Sequence, residues 1–303
     1  MAESFDGVLR HDGLDTWYRV VGELDQAAPL VVCHGGPGLT HDYLESLSAL
    51  ADGRAVVFYD QHGTGRSGHR PDAPDGFFSV ELYVRELAAL LDHLGIAGGY
   101  HLLGHSWGGL LGLEHAVRRP AGLRSLTVAS GFARSDTYTA EVGALVAALP
   151  DDVRTVIETH EAAGTTDSPE YDEAVRVFYR RHVCRAKPVP GEVMRTLVAL
   201  AEDSTVYRTM AGPSEFRLTG TLAGWDITDR LDAIEVDVLL VSGEHDEVTP
   251  GAVGELHRAL PGSRWELIPD ASHMAHVEHP ERFRALVGEF LASAGARVDT
   301  VGS

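Results

Sequence analysis

The pentapeptide Gly104-His105-Ser106-Trp107-Gly108 sets a serine between small residues, directly after the apolar run Tyr100-His101-Leu102-Leu103 and directly before the helix-forming residues 109–118. A Gly-x-Ser-x-Gly sequence between a strand and a helix makes a nucleophile elbow. Its glycines tolerate a tight, strained turn that pushes the hydroxyl out at the carboxyl edge of a sheet. At neutral pH a serine hydroxyl needs a base to take its proton, and the base needs an acid that fixes its tautomer and stabilises the imidazolium. Asp246 and His273 are the candidates. Asp246 lies in Gly243-Glu244-His245-Asp246-Glu247, just beyond the apolar run 236–241. His273 follows the run 265–268 in the same way, within Asp270-Ala271-Ser272-His273. All three residues therefore fall past strand ends, on the edge where parallel sheets hold their ligands.

Acyl transfer also needs donors for the oxyanion of the tetrahedral intermediate. The loop His34-Gly35-Gly36-Pro37-Gly38 follows another strand-like run. Its position aims the Gly36 amide at the same point as the Trp107 amide, which supplies two backbone donors.

These residues need a scaffold, and the rest of the chain supplies its pattern. Residues 8–11 and 16–21 alternate as strands around Gly13, which predicts a hairpin at one sheet edge. Residues 29–33, 55–59, 100–103, 125–129 and 236–241 are short, apolar, β-branched runs of the kind found in strands covered on both faces. Between them, residues 79–94 carry Val80, Val84, Leu87, Leu91 and Leu94 on one helical face, with Ser79 to cap the start and Gly95 to end it. Strands alternating with helices predict an α/β fold with a mainly parallel central sheet flanked by helices. The rhythm breaks over residues 131–226. This segment offers helices at 141–149, 153–163, 171–183 and 192–202 and few strand signals. Because strand-forming residues lie on both sides, the expected organisation is a core in two parts, 1–130 and 227–303, interrupted by a helical cap insertion. Residues 292–303 read as a frayed tail.

Composition narrows the partners. With 45 acidic residues against 25 basic ones, the formal net charge is −20, which argues against a nucleic-acid partner because such affinity rests on Lys and Arg displacing counterions. The two cysteines, Cys33 and Cys184, suggest no disulfide framework, and Cys33 lies in a core strand. No segment has the length and apolarity of a signal peptide or a membrane span, so the expectation is a cytoplasmic protein without a membrane partner, a monomer or small homo-oligomer.

Two features tempt other readings. Gly63-Thr64-Gly65-Arg66-Ser67-Gly68 matches a dinucleotide fingerprint, but Arg70-Pro71-Asp72-Ala73-Pro74 follows it where a helix would have to start, so it reads as a turn pinned by Asp60 and Arg66. His273, His276 and His279 stand three apart, a spacing that lacks the pattern of a zinc motif. No metal is expected, and His276 and His279 read as supporting or surface residues.

The chain order Ser, Asp, His is that of the α/β-hydrolase fold. The loop 34–38, the stretch Asp60-Gln61-His62-Gly63-Thr64-Gly65-Arg66-Ser67, the elbow, Gly243-Glu244-His245-Asp246-Glu247-Val248-Thr249-Pro250 and Ser272-His273-Met274 together resemble the proline iminopeptidase family. Within that family they are most similar to the tricorn-interacting aminopeptidases. The resemblance covers nearly the whole chain. It implies a helical cap over the sheet, no cofactor, and release of an amino-terminal residue, proline or another small or apolar one, from a short peptide or amino-acid amide. It also implies that two glutamates hold the substrate's free amine: Glu215, in Gly212-Pro213-Ser214-Glu215-Phe216, and Glu247, directly after Asp246. Paired carboxylates suit an ammonium in a closed pocket, because an isolated buried charge is heavily penalised. The same triad also serves esterases, lactonases and biosynthetic amidases, which differ in not requiring a free amine.

Overall fold

A computed structural model of the chain describes residues 3–299. The predicted hairpin is β1 (Ser4–His11) and β2 (Leu14–Val21), and β2 pairs antiparallel with β4 (Arg54–Tyr59). β3 (Ala27–Cys33), β5 (Tyr100–His105), β6 (Leu123–Ala129), β7 (Asp237–Gly243) and β8 (Arg264–Ile268) join β4 in a parallel array. The sheet order is β1-β2-β4-β3-β5-β6-β7-β8. Alternate residues of β3 feed opposite cores. Leu30 and Val32 pack with Phe58, Leu103 and Leu239, while Val31 and Cys33 pack with Val57, Leu102 and Leu240. Burial on both faces is the reason these strands read as unbroken apolar runs, and each such side chain contributes about 1.5–3 kcal/mol.

Helix α1 (Val80–His93) starts at Ser79, whose hydroxyl accepts from the Leu82 amide. Helix α2 (Trp107–Ala116) starts at Trp107, two residues before the expected position, and is buried along its whole length. A helix buried on every side, here with Glu114 and His115 among its buried residues, has no amphipathic stripe to mark its start. α8 (Pro250–Ala259), the short α9 (Ala275–Glu278) and α10 (Pro280–Asp299) complete the core. The expected frayed tail is corrected: residues 292–299 continue α10. Phe283, Val287, Phe290, Leu291 and Ala294 form one buried stripe that carries the helix onward, and residues 300–303 lie outside the described residues.

Between β6 and β7 the chain builds α3 (Ser135–Ala147), α4 (Asp151–Ala163), α5 (Pro169–His182), α6 (Gly191–Glu202) and α7 (Thr205–Met210). α3 begins six residues before the expected 141, because the buried Tyr138 extends its inward face. The two ends of this insertion leave and return side by side: Ser135 N donates to Trp225 O (2.8 Å) and Ile227 N to Ala133 O (3.1 Å). A 3₁₀ segment, His41–Leu50, follows the glycine loop after β3 and was not predicted. Among the described residues no helix is long and apolar enough to cross a membrane.

Candidate active site

Ser106 occupies φ 56°, ψ −124°, left-handed backbone that a non-glycine residue adopts only under strain. The turn is held by Ser106 N donating to Ala129 O (2.8 Å) and Gly109 N to Ser106 O (2.7 Å). Close approach dictates the flanking glycines. A Cβ at Gly104 would stand 1.9 Å from Gly108 O, and one at Gly108 would stand 2.1 Å from Cys33 O. Because both neighbours are backbone, Gly108→Ala is expected to destabilise the fold by about 3 kcal/mol, read as a shift in the urea midpoint. A neutral result would show that the turn has slack.

Beyond β8, His273 Nδ1 donates to Asp246 Oδ1 at 2.8 Å, and the same oxygen accepts from Val248 N at 2.8 Å. The opposite ring nitrogen, Nε2, faces Glu247 Oε1 at 3.6 Å. Ser106 and His273 share the carboxyl edge of the sheet, but no hydrogen bond joins the Ser106 hydroxyl to Nε2. Burial disfavours the charged imidazole, yet Asp246, Glu247 and Glu215 outweigh it and push His273 up to about 9.

A cavity of about 30 Å³ lies above Ser106, walled by Gly36, Pro37, Trp107, Leu110, Phe132, Tyr138, Leu218, Leu222 and Val248, with Glu215 opening onto it. Phe132 and Tyr138 stack with ring centres 4.5 Å apart. Glu215 is held from the insertion by Tyr138, whose hydroxyl donates to its carbonyl (2.8 Å). Neither Glu215 nor Glu247 has an Arg or Lys partner among the described residues. Burial raises the carboxyl of Glu215, and burial with repulsion from Glu215 raises that of Glu247 well above its ordinary value. One oxygen of Glu247 is buried without any hydrogen bond.

Gly36 and Trp107 both line this cavity, and neither backbone amide donates to a protein acceptor among the described residues. Residues that the sequence did not single out hold them there. Gln61 reaches both sides: its Nε2 donates to His34 O (2.8 Å) and its Oε1 accepts from the Trp107 indole (2.8 Å). The Tyr43 hydroxyl accepts from Gly35 N (2.8 Å) and donates to His105 Nδ1 (2.8 Å), and His105 Nε2 donates to His273 O (2.9 Å). One chain of bonds therefore ties the glycine loop, the elbow and the histidine loop. Gln61 follows β4 at the same sheet edge as the other site residues, and that position was the available signal. His276 is buried, and its Nε2 donates to Tyr43 O (3.2 Å). Asp60 accepts from Arg66 N (2.9 Å), but the Arg66 guanidinium turns away to His41 and the face of Trp17, so only the first half of the expected pinning holds.

This is the architecture of an α/β-hydrolase, and residues 28–280 match the alpha/beta hydrolase fold family. The chain is 36% identical over 287 residues to a proline iminopeptidase of Thermoplasma volcanium, covering 94% of this chain and 96% of that protein. Among solved structures it is similar to VinJ, with 45% identity, a TM-score of 0.94 and coverage of 96% and 99% of the two chains. It is also similar to the proline iminopeptidase of Mycobacterium smegmatis, with 42% identity, a TM-score of 0.90 and coverage of 97% and 100%. The chain belongs to the proline iminopeptidase family.

Proposed function

We propose that the protein is a serine exopeptidase that releases an amino-terminal residue, proline or another small or apolar one, from short peptides or amino-acid amides. The observation that carries this reading is the pair of enclosed carboxylates, Glu215 and Glu247, that have no Arg or Lys partner among the described residues and share only His273 between them, beside a serine elbow. Two buried carboxylates beside a single imidazole leave at least one negative charge uncompensated, which is costly, and a substrate ammonium supplies the missing charge.

In this reading Ser106 Oγ attacks the carbonyl carbon of the first residue while its proton passes to His273 Nε2, with Asp246 holding the ring in place. The oxyanion accepts from the Gly36 and Trp107 amides. Collapse breaks the amide bond, and His273 gives its proton to the departing amine. Water then repeats the sequence on the acyl-enzyme and frees Ser106. Residues 131–226 act as a cap whose wall at Glu215 blocks longer amino-terminal extensions, and the apolar surface of Phe132, Leu218 and Leu222 receives the side chain.

The test is a panel of prolyl, alanyl, leucyl and phenylalanyl arylamides beside their amino-acetylated counterparts. Free amines are expected to win by about 10³-fold in kcat/KM, the scale of an ion pair lost from a closed site. Glu215→Ala should remove most of that advantage while costing a simple acyl ester far less. Equal turnover of acetylated and free substrates would contradict the reading.

A further inference from the structure

We propose that Glu247 controls the base as well as the amine: in the empty site it holds the Nε2 proton of His273, and an arriving ammonium, by pairing with Glu247, releases that proton and frees the ring to serve Ser106. This rests on the exopeptidase reading above and adds to it the step that couples recognition to chemistry.

The geometry that points there is the partition of the two ring nitrogens. Nδ1 is committed to Asp246, so Nε2 alone is left for the serine. Yet the partner that faces Nε2 is Glu247 Oε1 at 3.6 Å, from a side chain 2% exposed. The groups around His273 come from four elements. Asp246 and Glu247 follow β7, Glu215 comes from the insertion, His105 ends β5, and His276 sits on α9. His105 brings no positive charge. Its Nε2 donates to His273 O while its Nδ1 accepts from Tyr43, which fixes a neutral tautomer, and burial lowers it further. Burial likewise lowers His276, to about 3. Only anions are left to act on His273, and its raised affinity for a proton follows.

The proton balance is simple. In the proposed empty state the proton that burial and Glu215 would favour on Glu247 sits instead on His273 Nε2, giving an imidazolium beside a carboxylate. The substrate enters as an ammonium, pairs with Glu247 and Glu215, and one proton leaves His273 Nε2 for solvent. A substrate with a blocked amine brings no cation and leaves the imidazolium locked. Amine selection then appears in kcat and not in KM alone.

The experiment compares pH profiles of kcat, which report the substrate-bound enzyme, for a small acyl aryl ester without an amine and for a prolyl arylamide, using wild type and Glu247→Gln. On the ester, the rising limb of the wild type should lie at higher pH than on the arylamide. Glu247→Gln should move the ester limb down by about one pH unit and raise ester hydrolysis at pH 7 about ten-fold, while arylamide turnover falls. A loss of function cannot mimic a faster ester reaction. Proton release measured in Ser106→Ala, on adding proline amide at pH 7–8 in buffers of different ionisation enthalpy, gives a second readout near one proton per site, and the NMR signals of the His273 ring changing from imidazolium to neutral on binding assign that proton to the ring and not to Glu215 or Glu247. An unmoved ester limb in the Gln variant, a fall in both activities, or zero proton release would overturn the inference. If acetylated substrates are instead cleaved as fast as free ones by the wild type, the exopeptidase reading itself fails. Discrimination that survives with an unmoved limb sinks only the coupling.

Discussion

Alanine at Ser106 is expected to lower kcat by about 10⁶-fold, leaving only the residual catalysis that donors and binding supply without a nucleophile. The fold should hardly notice. The hydroxyl makes no side-chain hydrogen bond among the described residues, and alanine keeps the Cβ that already tolerates φ 56°, so stability should stay within about 0.5 kcal/mol. Rapid-mixing kinetics should show an acyl-enzyme burst with the wild type and none with the variant, and a serine-directed phosphonate should label only the wild type. Labelling that persists in Ser106→Ala would place the nucleophile elsewhere.

The second large effect is expected from Asp246→Asn, about 10⁴-fold in kcat, because the orienting acid sets which imidazole nitrogen carries the proton. Asp246 Oδ1 takes two donors, His273 Nδ1 and Val248 N, while Oδ2 is buried with no partner. An asparagine must either bury its amide NH₂ where nothing accepts it or turn that NH₂ toward Nδ1, which forces the proton onto Nε2 and spoils the base. The sign of the pH response follows from the same charge. Asp246 favours the protonated ring, so its loss lowers the affinity of His273 for a proton and shifts the rising limb of the residual activity to lower pH. A variant that keeps a tenth of wild-type turnover would remove Asp246 from the mechanism.

The strands were legible because burial on both faces writes itself as short β-branched runs, and the Ser106, Asp246 and His273 positions were legible because each directly follows such a run. Glu215 was not legible in that way. It stands in an irregular turn of the insertion, where no periodicity marks a residue, and only motif resemblance singled it out. Gln61, Tyr43, His105 and His34 escaped because their importance lies in contacts between segments far apart in sequence, which spacing along the chain cannot reveal. α7 is too short for a helical period to register. The end of α10 was lost because alanine and glycine in residues 292–297 resemble a loose terminus, although Leu291 and Ala294 are buried.

The carbonyl of His182, where α5 ends, accepts from the amides of both Glu247 (3.2 Å) and His273 (3.0 Å), and Val183 O accepts from Met274 N (2.9 Å). The insertion between β6 and β7 thus also buttresses the loop that carries the imidazole. Shortening the insertion at the end of α5 would therefore slacken the loop that holds His273. Substitutions at Leu218 and Leu222, which line the cavity, are expected to reshape it without disturbing the contacts at His182.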